Sequence, residues 1–294
     1  PNPLGGRLFE GPIVPDEWRS FISWGPLPMT HGMTMGEIAL FWRDELGVEC
    51  ELEVVQMRGW EREMVWEDTG LEWIQSSPHI PHPVSAYTYV ATGAIGESFE
   101  EIHCGVGYTT PFEVIAAANL DEHALTTAMN GRGLGGVHFL PFVGRPFYGE
   151  LEGEELRGVR LVITSPRSFR PVRTAFALLC ELEAQLGEAL KVKSERAFSL
   201  RWSELELIER IRGGSDVEDL ERSFAEEHQR FSEVRSGVVR FWFNLVAVEF
   251  HSLNLTCCFF SSHSRDTRNS HDPGFLWRTP KQTEHPYMNK QLRM

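Results

Sequence analysis

The stretch GVRLVITSPRSFRPVRTAFALLCELEAQL, residues 158–186, decides the fold class. Its first part, Val159 to Thr164, is apolar and rich in β-branched residues, the composition of a buried strand. Ser165 then offers an oxygen to the free N–H groups of a helix start, and Pro166 has the fixed φ that suits a first helical position. Val172, Phe176, Leu179, Leu182 and Leu186 follow at helical spacing and make one apolar stripe. A strand that feeds an amphipathic helix predicts an α/β protein.

The same alternation extends in both directions. Thr34-Met35-Gly36-Glu37 has the Thr-x-x-Glu form of a capping box and predicts a helix over 35–46, ended by Gly47, with a strand over 51–57. Residues 58–115 are dense in Gly, Pro, Ser, Thr and aromatics without sustained period, and ordered loops of that length tend to carry function. A helix near 112–130 and a strand over 137–143 are expected next, joined by a glycine-rich connector at 131–136. Helices over 203–212 and 216–234 close the series, and there is no internal repeat. At the other end Pro1-Asn2-Pro3-Leu4-Gly5-Gly6 is all turn chemistry and reads as the loop leaving a strand that lies upstream.

Charge and composition narrow the function. The chain of 294 residues is 41% hydrophobic with a net charge of −14, which argues against a nucleic-acid backbone or an anionic membrane surface as partner. Residues 1–235 carry 21 basic and 38 acidic side chains, a net of −17, so residues 236–294 differ in kind. Arg240, Asn244, Glu249, His251 and Asn254 interrupt the apolar run 237–260 too often for a spanning helix. Domain organisation is therefore read as 1–235 and a tail, 236–294, expected to be disordered or foreign to the fold. Cys50, Cys104, Cys180, Cys257 and Cys258 form neither a C-x-x-C pair nor a zinc spacing, and no signal peptide is visible at Pro1. Gly131-x-Gly133-x-Gly135-Gly136 lacks the spacing of a dinucleotide fingerprint, and serine elbows and His-x-x-x-His helices are absent.

Several short motifs occur in one order. They are Pro1-Asn2-Pro3-Leu4-Gly5-Gly6 with Glu10-Gly11-Pro12, His31-Gly32-Met33-Thr34 with Gly36-Glu37, and Met57-x-Gly59-Trp60-x-Arg62. Asp68-Thr69-Gly70-Leu71-x-Trp73, Ser77-Pro78 with Pro81, Gly105-Val106-Gly107-Tyr108-Thr109-x-Pro111-Phe112-Glu113 and Phe169-Arg170-Pro171-Val172-Arg173-Thr174 follow. In this succession the chain resembles the exo-β-N-acetylmuramidase family of glycoside hydrolases. Thr30, His79-Ile80 and Ala118-Asn119 depart from that pattern. The resemblance implies the C-terminal mixed α/β domain of a muramidase-like fold, with the N-terminal Rossmann-like half, which carries a Ser-Pro-Glu-His-Gly motif, largely missing. It also implies removal of terminal β-N-acetylmuramic acid from peptidoglycan fragments, without metal or organic cofactor, in a family whose members are often bacterial and secreted. The missing half would complete the cleft, so a non-catalytic muropeptide-binding relative and a non-functional truncated product are the alternatives.

Glycoside hydrolysis needs a carboxylic acid to protonate the leaving oxygen and a second group opposite it. Glu10, at the expected carboxyl end of a strand, and Glu113, at a loop-to-helix transition, are the candidate carboxylates, and His31, which titrates near neutrality, is a candidate for proton transfer. Each also has a plain reading, as a loop carboxylate, a helix-dipole partner and a hydrogen-bonded loop histidine. Arg62 is a candidate for bidentate contact with a lactyl carboxylate, or for an ordinary ion pair. Asn2, Asp68, Thr69, Tyr108 and Thr109 are candidate sugar-hydroxyl contacts. Trp60 is a candidate stacking surface, with core packing as its alternative.

Overall fold

A computed structural model describes residues 3–20, 23–203, 205–239, 247–250 and 255–257. In chain order the elements are β1 (Glu10–Ile13), β2 (Pro28–Thr30), α1 (Met35–Glu45), β3 (Leu52–Val55), α2 (Pro83–Gly96), β4 (Val114–Ala117), α3 (Glu122–Gly131), β5 (Val137–Gly144), β6 (Leu156–Ile163) and α4 (Pro171–Leu186). Four helices follow, α5 (Glu195–Trp202), α6 (Glu206–Arg212), α7 (Val217–Ser223) and α8 (Ala225–Val239), and then β7 (Ala247–Phe250) and β8 (Leu255–Cys257). The protein is mixed α/β.

All strand pairs among the described residues are antiparallel, in the sheets β1-β2, β3-β7-β8 and β4-β6-β5. In the third sheet Ile115, Ala117, Phe139, Val159 and Leu161 face inward and join one core with residues of α2, α3 and α4. Register places Leu140 opposite Arg160 and Phe142 opposite Gly158, so these residues share the opposite, outer face. Arg160 lies in turn opposite Val114.

Several expected boundaries move: α2 lies inside the stretch read as loop, the helix read over 216–234 is divided into α7 and α8, and two further changes bear on the site. The long helix begins at Pro171, not Pro166, because Ser165 to Phe169 closes a separate turn in which Ser165 O accepts from Phe169 N at 3.1 Å. Residues 114–117, read as the start of a helix, form the buried strand β4, since the ladder with β6 and full burial favour Val114-Ile115 extended. The glycine-rich connector is also not loose. Gly136 has φ +74° and a Cβ there would lie 2.3 Å from Ser165 O, so only glycine lets the two chains approach.

The Thr34 capping box forms as its sequence predicts: Thr34 Oγ1 accepts from Glu37 N at 3.3 Å and Glu37 Oε2 accepts from Thr34 N at 2.8 Å. Glu37 is fully buried and also receives the guanidinium of Arg62. Glu37→Ala removes both interactions and strands a largely buried cation. We expect a loss of about 3–5 kcal/mol of stability, read from the urea midpoint, and a change below 1 kcal/mol would contradict the assignment.

Helix α8 runs through residue 236 without a break, and β7 pairs with β3 from Leu52 opposite Phe250 to Val55 opposite Ala247. β8 pairs with β7, and the remainder of the stretch read as a tail lies outside the described residues. Among the described residues no helix is long and apolar enough to cross a membrane.

Candidate active site

Glu113 is the residue around which polar groups converge. It is 3% exposed and stands just before β4. Its Oε2 accepts from Arg160 of the neighbouring β6 at 2.9 Å, and its Oε1 faces His82 Nε2 at 3.3 Å. His82 is the N-cap of α2, with Pro83 in the first turn. Its Nδ1 accepts from Ser85 N at 3.4 Å, and that role as acceptor leaves the ring proton on Nε2, directed at Glu113. The cap thus selects the tautomer that the carboxylate uses.

The carboxylate is aimed by a strained peptide. Phe112 has φ +64°, a conformation that costs a non-glycine residue on the order of 1–2 kcal/mol. Thr92 Oγ1 of α2 donates to Phe112 O at 2.7 Å, Phe112 N donates to Cys104 O at 2.8 Å, and the Phe112 ring meets Tyr89 edge-on at 4.8 Å. One helix therefore holds both ends of the arrangement, His82 at its cap and Phe112 through Tyr89 and Thr92 two to three turns further on. Thr92→Val keeps the shape but leaves Phe112 O unsatisfied in the core, and thermal unfolding should show a loss of about 1–3 kcal/mol, recovered by Thr92→Ser.

The loop before α2 is ordered by aromatics. Trp66 and Trp73 pack edge-on at 4.9 Å, Trp73 Nε1 donates to Ile80 O at 3.2 Å, and Tyr87 Oη donates to Glu67 Oε2 at 2.7 Å. Tyr108 lies in the loop that leads to Glu113, against Phe142 and Phe147, and Thr109 beside it is exposed.

The other candidates lie elsewhere. Glu10 is 3% exposed on β1 and ties that strand to α4, accepting from Val172 N at 2.7 Å and Arg170 Nε at 3.0 Å. Burial pushes its carboxyl up, against the opposing pull of Val172 N and Arg170. Arg62 is turned inward to Glu37 and to Gly32 O at 3.2 Å, where Arg235 of α8 also donates at 2.8 Å. Trp60 is buried beneath Arg62, whose guanidinium lies 5.8 Å from the ring centroid. Asp68 accepts from Val65 N at 2.8 Å and from Arg167 at 2.6 Å, and Thr69 Oγ1 closes the same turn on Trp66 O at 2.6 Å.

His31 accepts from Met33 N at 3.1 Å and lines a separate cavity of about 350 Å³, walled by Trp24, Trp42 and Tyr89. Arg62, Asp68 and Tyr108 do not line that cavity. Burial lowers the His31 imidazole to about 4, with the charge of Arg235 adding to the effect, so it is neutral at pH 7. Asn2 lies outside the described residues.

The sequence reading missed His82 and Arg160. A histidine immediately before a proline at a helix start was the available signal for the first. Arg160 gave none, since only sheet pairing brings it to Glu113.

This is a mixed α/β protein with a buried carboxylate, an oriented imidazole and a guanidinium beside an aromatic surface. Residues 1–84 match the family model described as Exo-beta-N-acetylmuramidase NamZ, N-terminal, and residues 87–240 match its C-terminal counterpart. The chain belongs to the exo-β-N-acetylmuramidase NamZ family. Peptidoglycan beta-N-acetylmuramidase NamZ of Bacillus subtilis is 33% identical over 236 residues, which are 80% of this chain and 56% of that protein. A crystal structure of a DUF1343 family protein from Bacteroides fragilis shares the fold with a TM-score of 0.74 at 35% identity, over 81% of this chain and 64% of that one. A second such protein from the same organism, 20% identical with a TM-score of 0.57 over 81% of this chain and 63% of its own, shares the fold alone. The two family models meet within the first turn of α2, so His82 comes from one matched region and Glu113 from the other.

Proposed function

We propose that the chain works in an exo-β-N-acetylmuramidase, hydrolysing the bond to a terminal β-N-acetylmuramic acid in peptidoglycan fragments. The observation that carries this is the Glu113–His82 pair at the junction of the two matched regions, a position where ligand sites are common. Family membership supports the substrate class. In the reaction the bond from the anomeric carbon to the leaving oxygen breaks, that oxygen takes a proton, and a water oxygen becomes bonded to the anomeric carbon while its proton passes to the site. Glu113 is the carboxylate facing the anomeric carbon. His82 Nε2–H is the proton carrier within reach of it, with its exposed edge toward solvent, and Arg160 holds the carboxylate in place. Tyr108 and Thr109 are the sugar contacts from the adjoining loop.

The test is release of chromophore from a chromogenic muramic acid β-glycoside, with calorimetry in parallel. Release above the uncatalysed rate is expected. Binding without release would make the chain a carbohydrate-binding relative, and neither binding nor release would end the proposal.

A further inference from the structure

Next to Glu113 the outer face of the β4-β6-β5 sheet carries aromatic rings that the core does not use. Phe147 is 64% exposed and Tyr148 49%, an unusual cost in water unless something covers them. They are held in place rather than splayed. Phe147 N donates to Gly107 O at 2.7 Å, and Gly107 has φ +91° with a Cβ position 2.5 Å from Tyr148 O, so the 144–150 turn is pressed against the loop that leads to Glu113. Tyr108 meets Phe142 edge-on at 5.5 Å and Phe147 at 5.4 Å with the planes 30° apart. Tyr148 Oη lies 3.4 Å from His79 Nδ1, on the same loop as His82.

Phe142 stands opposite Gly158, two residues along β6 from Arg160, the residue that grips Glu113. The aromatic strip and the carboxylate are therefore neighbouring parts of one surface. We infer that Tyr108, Phe142, Phe147 and Tyr148 form a platform for a pyranose ring beside Glu113. Separate rings bordered by a guanidinium, an imidazole and a phenol suit a pyranose, whose C–H faces are apolar and whose rim is hydroxyl and amide. A partner helix would instead ask for a continuous aliphatic groove. The ligand class is a pyranose sugar; its relation to the reaction rests on the proposed hydrolysis, and its binding does not.

The test is calorimetric titration of the purified chain with N,N′-diacetylchitobiose, comparing wild type with Phe147→Ala, Tyr108→Ala and Tyr108→Phe. Phe147 is so exposed that its loss leaves folding intact, which near-ultraviolet circular dichroism verifies. Wild type is expected to bind, Phe147→Ala and Tyr108→Ala about tenfold more weakly, and Tyr108→Phe nearly as well as wild type. No binding by wild type, or equal binding by folded Phe147→Ala, overturns the platform. So does concentration-dependent self-association that Phe147→Ala abolishes, because the strip would then be covered by a second copy. Binding of the disaccharide by a chain that leaves the chromogenic glycoside intact would uphold the platform and defeat the hydrolase reading. The reverse pattern would do the opposite.

Discussion

Glu113→Gln is expected to slow release from a muramic acid β-glycoside by roughly 10²–10⁴-fold, the range that a positioned acid or base contributes. The amide has almost the same shape and still offers an oxygen to Arg160 or to His82. What it loses is the charge that would stabilise a developing oxocarbenium ion. Stability should change little, because Arg160 is half exposed and its ion pair is screened by solvent. Turnover and thermal unfolding measured on the same preparation separate the two effects. Unchanged turnover in a folded variant would remove Glu113 from the reaction.

Acid should unfold the protein well before its carboxylates are neutralised. Burial, with neighbouring positive charge such as Arg235 adding to it, lowers His31 to about 4; burial alone does the same for His103, which is 8% exposed with no partner for Nε2. Each binds its proton in the unfolded chain near pH 6.5 but resists it in the fold until about pH 4. Stability from these groups is therefore complete above pH 6.5 and falls between there and pH 4, with a slope of up to about 1.4 kcal/mol per pH unit for each. Glu10 works in the opposite sense. Its raised carboxyl favours the fold at low pH and costs stability as pH rises through its folded value, so it offsets part of the fall. Urea midpoints at half-unit steps from pH 7 to 4 measure the slope, and His103→Leu should reduce it by about one proton. A flat profile would mean that both imidazoles take up protons without unfolding.

How far the sequence could be read depended on the range of the interaction concerned. The Thr34 capping box, the apolar stripe of α4 and the β5–β6 strands involve residues a few positions apart, where local propensity and periodicity decide. The 114–117 stretch failed because four apolar residues suit a helix or a buried strand equally, and only the ladder with β6 chose. Glu113, Tyr108 and Thr109 were named from their motif and do lie on one loop. Glu10, Arg62 and Asp68 stood in motifs of the same quality, yet their partners, Arg170, Glu37 and Arg167, are distant in the chain; they hold Glu10 and Arg62 inside the fold and engage Asp68 in a surface ion pair.

Sequence alone determined the helices and strands with strong local signals, the acidic balance and the ordered motifs that define the family. Tertiary structure alone decided which carboxylate is set against an imidazole as well as a guanidinium, because a charged side chain has several possible partners and only its place in the fold selects them. It also brought His82 and Arg160 to Glu113, since a cap at one end of α2 and a register in one sheet are set by packing across the whole core.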